Sequence, residues 1–233
     1  MVDNKALIVA LDFDDIDSVL RLTDQLDPSL CRVKVGKQLF TRVGPSAVEQ
    51  LVKRGFDVFL DLKFHDIPNT VANAVSAAAD LGVWMTNVHA SGGSSMMNAA
   101  REALVGRQNK PLLTAVTVLT SMAEADLAEV GFQGAALARV VALAKLTEKA
   151  GLDGVVCSAQ EASELRKVVD PAFALVTPGI RLKGDAMGDQ KRVVDPAAAI
   201  AAGANYLVMG RSITAATDPI AAIKRILSSL EPE

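Results

Sequence analysis

Three carboxylates and two lysines stand at or just beyond the ends of three successive β-rich runs. Asp12 closes LIVALD, Lys34 lies within CRVKVG, and Asp61, Lys63 and Asp66 fall in and after FDVFLDLKF. Asp61 and Lys63 are two residues apart, so on one strand both side chains point to the same face. Leu60, Leu62 and Phe64 take the opposite face, toward packed helices, and Lys34 is flanked in the same way by Val33 and Val35. One Asp–Lys pair is equally well a structural ion pair. Five charges at three successive strand ends are harder to explain so, because partly buried charges are costly unless paired, and a cluster of them in a cleft is a candidate site. Asp66, which precedes Pro68 and a helical stretch, reads equally as a helix N-cap.

A second group of residues suits an anion. TPGIR (177–181) and MGR (209–211) follow the last two β-rich runs. Glycines there let backbone N–H groups approach a phosphate, and Arg181 and Arg211 add bidentate charge. Between them RLKGDAMGDQKR (181–192) is polar and glycine-containing, which suits a lid closing over substrate, or else an ordinary solvated loop. Thr120 and Thr177 also stand at run ends. His89, in NVHASGG, reads as a satisfied strand-end histidine rather than a base, and Trp84 with Met96 and Met97 reads as core or interface.

The elements that must position these groups recur along the whole chain. Eight short apolar runs (7–12, 31–36, 56–64, 83–90, 112–120, 154–159, 173–179 and 205–211) alternate with segments of helical spacing, such as Val19, Leu22 and Leu26, Val48, Leu51 and Val52, and Val71, Val75 and Ala78. Most of those segments close on glycine (Gly55, Gly82, Gly151, Gly203), the expected helix C-terminal signal. After the fifth run, Ser121 with Glu124 predicts a capping box, and a second helix is expected over 135–150. Dividing 233 residues by eight gives about 29 per unit, close to the ~30 of a strand–helix–strand unit. The expected fold is α/β, a single (β/α)8 TIM barrel spanning 1–233 as one domain, whose site lies at the carboxyl ends of the strands. An open doubly wound sheet is the alternative, but no G-x-G-x-x-G follows the first run.

Composition narrows the classes of function. With 50% hydrophobic residues, 22% charged and a net charge of −3, neither disorder nor a polybasic nucleic-acid surface is suggested. No apolar stretch approaches the ~20 residues that span a bilayer, and MVDNKALIVALDFDD lacks the cleavage pattern of a secretory signal, so a cytoplasmic protein is expected. Cys31 and Cys157 read as buried free thiols, and with only His65 and His89 besides, zinc-site spacing is absent. On these residues alone the inward lysine is compatible with a class I aldolase, and the phosphate loops with a non-catalytic phosphosugar-binding barrel.

The block DLKFHDIPNT (61–70) resembles the orotidine 5′-phosphate decarboxylase family, whose members make uridine monophosphate in the last step of pyrimidine nucleotide synthesis. The likeness runs in order from ALIVALD through VKVG, D-x-K-x-x-D-I-P-N-T and LTS (119–121) to TPGIR, DQKR (189–192) and GR. Related sugar-phosphate decarboxylases carry a metal-binding glutamate where this chain has Lys34. The resemblance implies decarboxylation of orotidine 5′-monophosphate with no metal or organic cofactor, in a homodimer with shared active sites. Lys63 would protonate the carbon that loses carbon dioxide, in an alternating array with Lys34, Asp61 and an Asp66 supplied by the partner. Asp12 and Lys34 would hold the ribose hydroxyls, joined by the partner's Thr70, while Thr120 and Ser121 would lie at the pyrimidine edge. Arg181, Gln190, Gly210 and Arg211 would bind phosphate. Leu182 and Ser212 stand where relatives often have proline, which removes no functional group.

Overall fold

A computed structural model describes residues 5–182 and 194–230. Its eight strands are β1 (Leu7–Ala10), β2 (Arg32–Gly36), β3 (Val58–Phe64), β4 (Met85–His89), β5 (Leu112–Val116), β6 (Gly154–Val156), β7 (Ala174–Thr177) and β8 (Tyr206–Met209). They pair in sequence order, all parallel, and β8 closes on β1. This is the expected (β/α)8 barrel, with helices in every crossover and no open-sheet edge.

Alternation within the strands builds the two sides of the wall. Ile8, Ala10, Phe59, Met85, Val116, Val156, Val176 and Val208 fill the barrel interior. Their neighbours Val9, Val33, Val35, Val58 and Leu60 pack outward against the helices. On the helix Pro68–Asp80, Val71, Val75 and Ala78 are the buried positions, as their spacing predicts. Gly55, Gly82, Gly151 and Gly203 all have positive φ just past their helices, which is what an αL helix end requires.

Most of the strands are shorter than the apolar runs that announced them. Val118 and Cys157, beyond the ends of β5 and β6, are still buried, so hydrophobicity alone does not mark where strand pairing stops. The capping box at Ser121 and Glu124 does not form. The helix there begins at Glu124 itself, and the Asp126 carboxylate accepts the Ala123 N–H at 2.7 Å. The helix Ala136–Lys149 matches the expected second segment.

The amino-terminal end of the barrel is closed by charge and aromatic rings. Arg32, which shares an inward face with Lys34 on β2, puts its guanidinium 4.1 Å from the centre of the Trp84 ring and 5.2 Å from that of Tyr206. Trp84 and Tyr206 meet edge to face at 5.1 Å. Asp57 accepts from Lys5 at 2.8 Å and lies 3.4 Å from Arg32 Nε. Met96 and Met97 are core residues, and both cysteines are buried free thiols, as expected.

Candidate active site

At the opposite, carboxyl-terminal end of the strands the barrel opens into a cavity of about 690 Å³. Asp12, Lys34, Asp61, Lys63, Thr120, Arg181, Gly210 and Arg211 all line it. The charges form one chain across its floor. Asp12 Oδ1 is 3.3 Å from Lys34 Nζ, Lys34 Nζ is 3.5 Å from Asp61 Oδ2, and Lys63 Nζ is 2.5 Å from Asp61 Oδ1. Gly36 at the end of β2 keeps room for the first pair, since a Cβ there would lie 3.1 Å from Lys34 Nζ and 3.4 Å from Asp12 Oδ1.

Asp61 is the electrostatic centre. Burial alone would raise its pKa, but the Lys34 and Lys63 ammonium groups, with hydrogen bonds from Lys63 and Asn87, outweigh that and hold the carboxyl below the usual range. It is therefore ionised at neutral pH. Its partner Lys63 has φ of 52°, alone among the described non-glycine residues in having positive φ. The pairing of β3 with β4 shifts between Leu60 and Phe64, so the strand kinks just where Asp61 and Lys63 project inward.

The end expected to take an anion is built from the loops after β7 and β8. Arg181 is buried and its Nη1 donates to the Ile180 carbonyl at 3.0 Å. The flanks of the intervening loop are tied together, with Arg181 N–H donating to the Val194 carbonyl at 3.1 Å and Val194 N–H to Gly179 at 3.4 Å. Gln190 and nearly all of the expected lid lie outside the described residues.

Three expected site residues do not line this chain's cavity. Asp66 is exposed in the turn between β3 and the helix Pro68–Asp80, Thr70 is exposed in the first turn of that helix, and Ser121 is exposed next to the cavity-lining Thr120. Asp66 is not the helix cap that its position before Pro68 suggests. The N-cap is Ile67, without a side-chain capping bond, and the Asp66 carboxylate accepts only the adjacent Ile67 N–H, at 2.6 Å. Ile67 itself is 66% exposed.

His89 stays out of the cavity, its ring tilted against His65 at 5.3 Å. Burial, reinforced by the charges of His65, Lys37 and Lys63, pushes its pKa down to about 4. Thr177 is used inside the sheet, donating to the Tyr206 carbonyl at 3.1 Å. Asn87 was not anticipated as a site residue, although it bonds both Asp61 and Lys63. Its signal in the sequence is a carboxamide two residues beyond Met85, on the same inward face of the strand next to Asp61 and Lys63. Gln38 and Thr214, also unanticipated, line the cavity wall.

Among the described residues no cluster of three or more His, Cys, Asp or Glu side chains is placed to hold a metal ion, and no helix is long and apolar enough to cross a membrane.

Comparison with known proteins agrees with this geometry. The family model for orotidine 5′-phosphate decarboxylase / HUMPS matches residues 5–226. Orotidine 5′-phosphate decarboxylase of Shewanella sediminis is 58% identical over 230 residues, covering 98% of this chain and 98% of its own. The Chromobacterium violaceum protein of the same name is 60% identical over 220 residues, 94% of this chain and 89% of its own. The crystal structure of orotidine 5′-phosphate decarboxylase from Lactobacillus acidophilus matches with a TM-score of 0.88 at 38% identity, over 99% of this chain and 100% of that one. With its closed barrel, its charged chain at the mouth and these full-length likenesses, the chain belongs to the orotidine 5′-phosphate decarboxylase / HUMPS family.

Proposed function

We propose that the chain decarboxylates orotidine 5′-monophosphate to uridine 5′-monophosphate and carbon dioxide, the last step of de novo UMP synthesis, using no metal or organic cofactor. The observation that carries this reading is the unbroken Asp12–Lys34–Asp61–Lys63 chain in the cavity floor. Lys34 argues against the sugar-phosphate branch of the family, which needs a metal-binding glutamate at that point.

Cleavage of the bond between C6 and the carboxylate leaves an electron pair on C6, with no cofactor ring to delocalise it. The Lys63 ammonium, braced by Asp61 at 2.5 Å, is a fixed positive charge, so it stabilises that pair without reorganising. It then gives its proton to C6, forming the product's C–H bond, and the neutral amine is reprotonated from solvent. Asp12 and Lys34 hold the ribose hydroxyls, and Thr120 with Ser121 meets the pyrimidine edge. Arg181, Gln190, Gly210 and Arg211 bind the phosphate, whose distance from C6 lets its binding energy assemble the site rather than act on the bond.

Asp66 and Thr70 serve the cavity of the second subunit in a cytoplasmic homodimer of single-domain protomers. Their exposure, with the exposed Ile67 between them, supports this. The deciding experiment follows the absorbance of orotidine 5′-monophosphate with enzyme that has been treated with a chelator. Sustained turnover supports the reading, whereas an enzyme that binds uridine 5′-monophosphate but never consumes the substrate overturns it. Borohydride added during turnover should trap no adduct on Lys63, which separates this chemistry from that of a Schiff-base aldolase.

A further inference from the structure

Asn87 is fully buried on β4 and uses both ends of its carboxamide. Its Oδ1 accepts the backbone N–H of Lys63 at 2.8 Å, and its Nδ2 donates to Asp61 Oδ1 at 2.8 Å. That same Asp61 oxygen accepts from Lys63 Nζ at 2.5 Å. The three groups close a ring: amide to backbone, backbone through the lysine side chain to carboxylate, carboxylate back to amide. Across this stretch the β3–β4 pairing is out of register, so the Lys63 N–H bonds a side chain in place of a neighbouring strand carbonyl. The φ of 52° at Lys63 is a conformation that persists only when its surroundings over-determine it.

We propose that Asn87 is a positioning residue for the decarboxylation: its carboxamide locks the kinked backbone of Lys63 and the Asp61 carboxylate into one rigid unit, so that the proton-donating Nζ is delivered to one point in the cavity. The inference rests on the function proposed above. The chemistry requires one acceptor and one donor on a single short planar group. An ionised aspartate at this position offers only acceptors and faces the Asp61 charge, whereas a protonated one restores both the C=O acceptor and an O–H donor. Leucine, of similar shape, offers neither.

The test uses the full-length enzyme as Asn87→Asp and Asn87→Leu. In Asn87→Asp at alkaline pH, kcat should fall about 100-fold, the scale of misplacing a reacting group by about 1 Å. KM and the Kd for uridine 5′-monophosphate should change little, because the ribose and phosphate contacts are untouched. On acidification the ratio of variant to wild-type kcat should climb as the new carboxyl group protonates, a recovery that Asn87→Leu should lack. A purely structural role would lower the unfolding temperature and leave this ratio flat with pH, and a flat ratio or a wild-type kcat in a folded variant overturns the proposal. Crystal structures of the variants supply a readout besides activity. Lys63 relaxing to negative φ, or Nζ leaving Asp61, supports the role, and an unchanged Lys63 refutes it. Failure of the wild-type enzyme to consume substrate would count against the function instead, and the variant structures would still decide the role of Asn87.

Discussion

Replacing Lys63 by glycine and, separately, by alanine isolates the backbone cost of its position from the chemistry of its amine. Both substitutions remove Nζ, so both should lower turnover at least ~10⁴-fold, because the fixed charge and the proton donor disappear together. Both leave Asp61 with Lys34 at 3.5 Å and Asn87 at 2.8 Å, so the electrostatic loss is common to the two variants and cancels between them. What differs is the conformation at φ 52°. A residue with a Cβ pays about 1–2 kcal/mol there and glycine pays almost none. Glycine's freer unfolded chain gives back about 0.4–1 kcal/mol of that gain. The remainder, about 0.8 kcal/mol at mid-range and at most about 1.6, should make Lys63→Gly more stable than Lys63→Ala, a difference of roughly 2–3 °C in unfolding midpoint at that mid-range value for a chain of this size. The assay is urea and thermal unfolding by circular dichroism at one fixed protein concentration, alongside turnover of orotidine 5′-monophosphate. An alanine variant as stable as the glycine one would show that the kink stores no strain. Turnover within about tenfold of wild type in either would remove Lys63 from the chemistry.

Arg211→Ala should weaken substrate binding by about 2–5 kcal/mol, and the effect should largely vanish with a substrate lacking the phosphate; equal damage to both would make Arg211 structural. Mixing inactive Asp66→Asn with inactive Lys63→Ala should restore about one quarter of wild-type activity once subunits exchange, because half the dimers are hybrids with one intact site of two. A mixture that exchanges but stays inactive would refute the shared site. His89, held near 4 against an ordinary 6.5, binds protons more tightly in the unfolded chain. Its stabilisation is complete above about pH 6.5 and is lost as the pH falls through 4, so His89→Gln should flatten the urea midpoint against pH across that window. At the start of β6, a Cβ on Gly154 would lie 2.3 Å from the Ala174 carbonyl oxygen and 2.7 Å from its Cβ. Gly154→Ala should therefore cost ~1–3 kcal/mol, lowering the thermal midpoint by roughly 2–12 °C with per-molecule activity retained.

Much of the site could be read from alternation, and its limits are those of alternation. Lys34 between Val33 and Val35, and Asp61 with Lys63 on the face opposite Leu60, project inward as a regular pleat demands. The kink at Lys63 could not be read this way, because a period-two pattern carries no record of a register shift that depends on pairing with β4. Asn87 escaped for the same reason. Its bonds exist only where β3 and β4 are aligned, and within its own strand it is one of three polar residues, with Thr86 and His89. Asp66 shows the reverse case. Its place before Pro68 argued locally for a cap, but the bonded geometry turns its carboxylate to the adjacent N–H and leaves it exposed. Strand ends were overrun wherever apolar residues such as Val118 continue the run into a buried loop.

Trp84 is the one tryptophan in the chain, and it sits at the end of the barrel remote from the cavity, beneath Arg32 and edge-on to Tyr206. Selective excitation of tryptophan fluorescence therefore reports on the seal at the amino-terminal rim and on nothing at the mouth. Ligand titrations followed by this emission should be silent even when the site is saturated, so silence in such an experiment carries no information about affinity. As an unfolding probe the same residue is well placed, because its emission changes only when the packing of Arg32, Trp84 and Tyr206 comes apart. Comparing its transition with the loss of activity under denaturant would then show whether the mouth loosens before the base, resolving the order in which the two ends of the barrel give way.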